Sequence, residues 1–156
     1  MSELSIPMSF GEIADKISIL EIKRERIRDP AKLRNVEAEL AQVAPPFLER
    51  VGRVWNFVPL FPALKEVNRR LWDIEDNIRD HERRQDFGPE FVRLARSVYL
   101  TNDERLRAKR AIDDLFGSSI REEKVYGSDT SPSSSSARFS TPLPRPLTAK
   151  RGPAVT

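Results

Sequence analysis

Apolar residues recur at alternating three- and four-residue steps through most of this chain, and proline or glycine ends each run. The clearest run is Leu64, Val67, Leu71, Ile74 and Ile78. That spacing places one stripe along an α-helix for four turns, and such a stripe demands partner helices to bury it. A helix is expected from about Pro62, fading at Arg83-Arg84-Gln85. Upstream, Ser9 and Glu12 form a capping-box pattern, which opens a helix carrying Phe10, Ile13, Ile17, Leu20 and Ile27 through Arg28. Ile17, Ile19 and Ile22 raise a strand alternative, since β-branched residues favour strands; the 3.6 period of the charged flanks favours helix.

Asp29-Pro30 ends that helix and starts a second, with Asp29 as cap and Pro30 where a missing N–H costs nothing. Leu33, Val36, Leu40 and Val43 continue it, and Pro45-Pro46 is expected to close it. The short link makes the pair an antiparallel hairpin. Residues 47–62 hold the densest apolar patch, read as helix to about Val58 and then a kink. Gly88-Pro89 restarts the chain, and Phe91, Leu94, Ala95 and Val98 form the next stripe. Thr101 and Glu104 repeat the capping-box pattern, leaving open whether 89–116 is one helix or two. Gly117 is a natural stop, and 120–126 is at most a short ordered tag. The expectation is all-α: a compact antiparallel bundle of four to five helices over residues 1–126.

Residues 127–156 are different material. Ser, Thr, Pro and Gly fill 18 of these 30 positions, too little apolar surface to offset the entropy of ordering, so a disordered C-terminal tail is expected. The tail also explains the charge. The whole chain has 27 Lys+Arg and 24 Asp+Glu. Residues 127–156 contain Arg138, Arg145, Lys150 and Arg151 against Asp129, which leaves 1–126 balanced at 23 basic and 23 acidic residues. Specific nucleic-acid binding is therefore not expected of the helical part.

With no cysteine in the chain, disulfides and thiolate chemistry are excluded and a reducing compartment is permitted. Neither a membrane-spanning run nor a signal-peptide pattern is found, so a cytoplasmic location is expected. Phosphate-loop, dinucleotide, hydrolase-elbow, zincin and Glu-x-x-His motifs are absent.

Three groups of residues are candidates for function. The first is a polar cluster along the apolar seams: Glu21, Arg24, Asn68, Glu75, Arg79, Arg105 and Lys109. Asn68, Glu75 and Glu82 recur every seven residues at one edge of the seam, and Arg24 falls within the first helix's stripe. Charges at such positions are costly unless paired, so Arg24 is expected to meet Glu75 or Glu21. The commoner role for these groups is a network that fixes helix register; the functional alternative is a pocket for a small anion. The second group is carboxylates, Glu12 and Asp15 with Glu75 and Asp76, which could hold Mg²⁺ against a nucleotide's phosphates. Against it, Asp73, Asp76 and Asp80 point away from the seam and have arginines at helical spacing, as on a solvated, salt-bridged face. The third is Trp55, Phe57, Phe61 and Trp72, either ordinary packing or an interface. His81, near a helix end, fits packing or capping.

The stretches S-F-G-E-I-A-D-K-I-S-I-L-E-I-K-R-E-R-I at 9–27 and D-P-A-K-L-R-N-V at 29–36 resemble a bacterial and phage family of small helical proteins known as a domain of unknown function. The likeness continues in L-W-D-I-E-D-N-I-R at 71–79, A-R-S-V-Y-L-T-N-D at 95–103 and E-E-K-V-Y at 122–126. It covers most of 6–126, is weaker at 44–62 and stops before 127. It implies the domain boundary and no catalytic role for any residue. The leading functional expectation is a non-catalytic binding or interaction module without a cofactor, joining a protein partner or a second copy through the Trp55–Phe61 region. The alternative is a Mg²⁺-dependent nucleotide pyrophosphohydrolase or a small-anion-binding bundle.

Overall fold

The computed structural model describes residues 5–52, 54 and 59–124. Four helices account for most of them: α1 (Phe10–Arg26), α2 (Pro30–Val51), α3 (Leu60–Arg84) and α4 (Pro89–Phe116), with no strand among the described residues. The chain divides into a helical unit ending at Glu123 and a C-terminal unit from Lys124. The tail expected to be disordered lies outside the described residues.

Helix α1 is the central element, packed against each of the other three. Its N-terminus is satisfied from three directions. Ser9 Oγ accepts from Glu12 N at 3.2 Å, Asp113 Oδ1 from Gly11 N at 2.7 Å, and Ser118 Oγ from Phe10 N at 3.0 Å. Only half of the expected capping box forms, because Glu12 turns its carboxylate to Lys109 Nζ at 2.6 Å. Asp29 caps α2 as expected, accepting from Ala31 N at 2.8 Å.

Helix α2 runs through Pro45 and Pro46 to Val51 instead of stopping there. Each proline removes one helical hydrogen bond. The carbonyls so freed, on Ala41 and Gln42, belong to exposed residues and can bond water. Beyond the prolines, Phe47 and Val51 are each 4% exposed and join Ala14, Ile17, Leu64 and Ile112 in the main core. Burying two such side chains, about 1.5–3 kcal/mol each, holds the last turns in place.

Helix α3 begins at Leu60, so Pro62 falls in the first turn, where proline is tolerated. Its seam is buried at Leu64, Val67 and Leu71 and only half-buried at Ile74 and Ile78. Past Asp73, which meets Arg26 in the last turn of α1 at 2.5 Å, α1 no longer covers it. His81 closes the far end: its ring lies near Phe91, and Nδ1 is 3.1 Å from Asp86 O. Helix α4 is a single helix of 28 residues. Thr101, read as a second cap, sits mid-helix and is buried, because the apolar stripe continues unbroken through Leu94, Leu106 and Ile112. Gly117 ends it with φ of 67°, a left-handed conformation glycine adopts freely.

Gly11 sets how closely α1 approaches α4. A Cβ there would lie 2.5 Å from Lys109 O. Glycine-to-alanine in a helix normally stabilises by about 1 kcal/mol. Here the sign reverses: Gly11→Ala is expected to lose about 1–3 kcal/mol through overpacking, measured by chemical denaturation. A more stable variant would show that the two backbones are not in contact.

Candidate functional site

Where α1, α3 and α4 meet, a polar cluster interrupts the apolar seam. Its centre is Asp15, 4% exposed. Arg105 donates to it through both Nε, at 2.8 Å, and Nη2. Asn68 Nδ2 donates to Asp15 Oδ1 at 2.8 Å and to Ser18 Oγ at 2.7 Å, and Ser18 Oγ donates to the Asp15 carbonyl at 2.8 Å. All three helices are thus tied to one carboxylate. The bonds to Asp15 raise the Arg105 pKa above its ordinary value, with burial opposing.

One turn along α4, buried Lys109 reaches Glu12 of α1 and Glu122 of the segment after α4. Burial acts to lower its pKa, and the bonds from the two carboxylates more than offset this, leaving it raised. Arg110 holds the same segment through the Glu122 carbonyl at 3.1 Å and the Glu123 carboxylate at 2.9 Å. Among the described residues, every buried side-chain nitrogen and oxygen has a partner.

A cleft of about 250 Å³ opens beside this cluster. Ile19, Ile22, Leu71 and Trp72 supply its apolar lining; Asn68, Glu75, Arg79 and Arg105 supply the polar part. The Arg26 guanidinium lies 5.8 Å from the Trp72 ring centroid, a cation–π arrangement. Four of the seven expected polar residues therefore gather here. Lys109 sits apart with Glu12, and Glu21 pairs with Lys65 at 2.5 Å. Arg24 is exposed and meets neither Glu75 nor Glu21. It lies in the last turn of α1, where solvent and the helix's negative end suit a cation.

The carboxylates considered for Mg²⁺ do not converge. Glu12 and Asp15 are held by Lys109 and Arg105, whereas Glu75 and Asp76 lie on an exposed face beside Arg79, at 3.1 and 3.6 Å. Among the described residues no three His, Cys, Asp or Glu side chains form a metal-holding group. Of the expected interface, Trp55 and Phe57 lie outside the described residues. Phe61 packs partly buried against the core, and Trp72 is half-buried in the cleft. Asp113 and Lys65 were not singled out from the sequence; a carboxylate that caps a helix 102 positions away leaves no local pattern.

The chain matches no protein-family model, no curated protein and no solved structure.

Two outcomes follow from the buried charges. Removing one member strands the other, at a cost of about 3–5 kcal/mol, so Asp15→Leu and Arg105→Met should each be strongly destabilising. The double variant should be less destabilised than their sum, with a coupling of about 1–3 kcal/mol by urea titration; simple additivity would mean the pair does not interact. Lys109 has a raised folded pKa, so its pairing contributes fully below lysine's ordinary value and is lost as pH climbs through the higher folded one. Melting temperature should fall more steeply above about pH 10.5 in the native chain than in Lys109→Met, and parallel curves would remove Lys109 from that role.

Proposed function

We propose that the helical domain is a non-catalytic binding module that works through its surface. The observation carrying this is that, among the described residues, buried Asp15, Lys109 and Asp113 are each held by fixed partners within the helical unit. Asp15 is held by Arg105 and Asn68, Lys109 by two carboxylates, and Asp113 by the N-terminus of α1 and Ser118. An acid–base catalyst needs a group free to gain or lose a proton near neutral pH. The shifts at Arg105 and Lys109 run the other way and keep both charged. The missing catalytic motifs support the same reading. The absence of cysteine fits a cytoplasmic setting, and among the described residues no helix is long and apolar enough to cross a membrane.

A second reading has its own support, that the α1/α3/α4 cleft takes a small anion. Among the described residues Arg105 Nη1 makes no hydrogen bond, Arg79 is 62% exposed, and both residues line the cleft. Together they could clamp a carboxylate or phosphate.

Thermal shift against phosphorylated and carboxylated metabolites, with and without Mg²⁺, separates the two. A ligand that binds the folded state must raise its melting temperature. The surface-module reading expects no shift. A shift abolished by Arg79→Gln would instead establish the cleft, and turnover of any panel member would overturn the non-catalytic reading.

A further inference from the structure

Resting on the surface-module reading, the structure assigns a partner to one face: we propose that α2's C-terminal half and the segment before α1 dock against the same face of a second copy of this chain. A wide groove of about 800 Å³ runs between them. Ile6, Met8, Phe10, Ile13, Val43 and Phe47 line it. Phe10, Ile13, Val43 and Phe47 are the outer side of the main core, whereas Ile6 and Met8 stand 63% and 42% exposed at its edge. Apolar side chains gathered on a groove in this way mark an association surface more than isolated exposed ones do.

The charges at the groove's end indicate what covers it. Glu49 and Arg50 are adjacent, exposed, and beside Pro46, and neither has an ion pair or hydrogen bond among the described residues. Most charged residues elsewhere are paired; across the groove, Lys16 is held by Glu39 at 2.5 Å. A cation in the last turn of α2 suits the helix dipole without any partner. A carboxylate there does not, and among the described residues no cation answers Glu49 at the negative end. Adjacent opposite charges are self-complementary under a twofold axis, because a residue that contacts its neighbour's counterpart on the partner is contacted by it in return. With two α2 helices antiparallel about residues 49 and 50, each Glu49 faces the partner's Arg50. The balanced charge of residues 1–126 removes the long-range repulsion that keeps many proteins monomeric. A heterologous acidic partner would answer Arg50 and leave Glu49 opposed.

Sedimentation velocity on the full chain, from low micromolar to near-millimolar concentration, tests this directly. The wild type is expected to move from monomer to dimer. Met8→Glu, at an exposed position, should remain monomeric. Arg50→Glu, which sets like charges across the axis, should weaken dimerisation at least about tenfold, and the double variant Glu49→Arg with Arg50→Glu should restore it. Circular dichroism melts at low concentration check that each variant folds. A wild type that stays monomeric throughout, a dimer indifferent to Met8→Glu, or a double variant no better than Arg50→Glu would each overturn the proposal. A monomer with a flat metabolite panel leaves the surface-module reading standing, whereas a metabolite that stabilises the chain strikes at that reading itself.

Discussion

The carboxylate of Asp15 is the point on which the packing of three helices depends. An ionised carboxylate in a largely dry interior is tolerated only if its charge and lone pairs are answered. The answers come from two other helices: a guanidinium from α4 and an amide from α3. Apolar stripes alone specify that helices stack, and they tolerate sliding by a turn, since leucine on leucine is much the same at each step. A buried charge with directional partners does not. Moving α1 one turn along α4 would put Arg105 against Ser18 or Gly11 and leave Asp15 unpaired. The cluster therefore contributes register more than net stability.

A second set of contacts, one turn away, closes the same end of the bundle. Gly11 brings the backbones of α1 and α4 together, Asp113 and Ser118 cap α1 from across the interface, and Lys109 is held between Glu12 and Glu122. The segment after α4 is thereby tied to the first turn of α1. The helical unit's two ends lock each other, although helix-capping rules read from local sequence treat each terminus as an isolated problem. That difference explains Glu12. Three residues after Ser9, it has the position of a reciprocal cap, but the neighbouring lysine is a stronger partner for a carboxylate than one backbone N–H.

What could be read from the residues divides along this same line. Helix existence and faces were legible because 3.6 periodicity, Asp29-Pro30, Gly88-Pro89 and Gly117 are local signals, and each element appears where those signals stand. The errors came from tertiary contacts overruling local ones. Pro45-Pro46 did not stop α2, because Phe47 and Val51 beyond them enter the core while the freed carbonyls belong to exposed residues. Thr101 did not start a helix, because it lies under the continuous stripe of α4. Asn68 and Arg105 are legible as inner polar residues, and both donate to Asp15. Their common partner Asp15 stands out in the sequence only as a candidate metal ligand, since a carboxylate's neighbours along one helix say nothing of which cation arrives from another. Arg24 failed for the converse reason. Its angular position lies within the stripe, but α1 ends two residues later, and a long side chain in a last turn reaches solvent.

The division between inside and outside bears on function. A network that holds Asp15, Lys109 and Asp113 on fixed partners is suited to holding a shape. Residues 1–126 are balanced in charge, so little long-range field directs them toward a polyanion. What is left to distinguish one part of its surface from another is local: where apolar side chains are uncovered, and where charges stand unanswered. Among the described residues those two conditions coincide beside Met8 and at Glu49 and Arg50, the end of α2 beyond its two prolines. Had α2 stopped at Pro45, as its sequence suggests, neither the groove nor that charge pair would exist. The same burial of Phe47 that carries the helix through two prolines thus also builds the groove beside Met8, the face proposed to take a second copy.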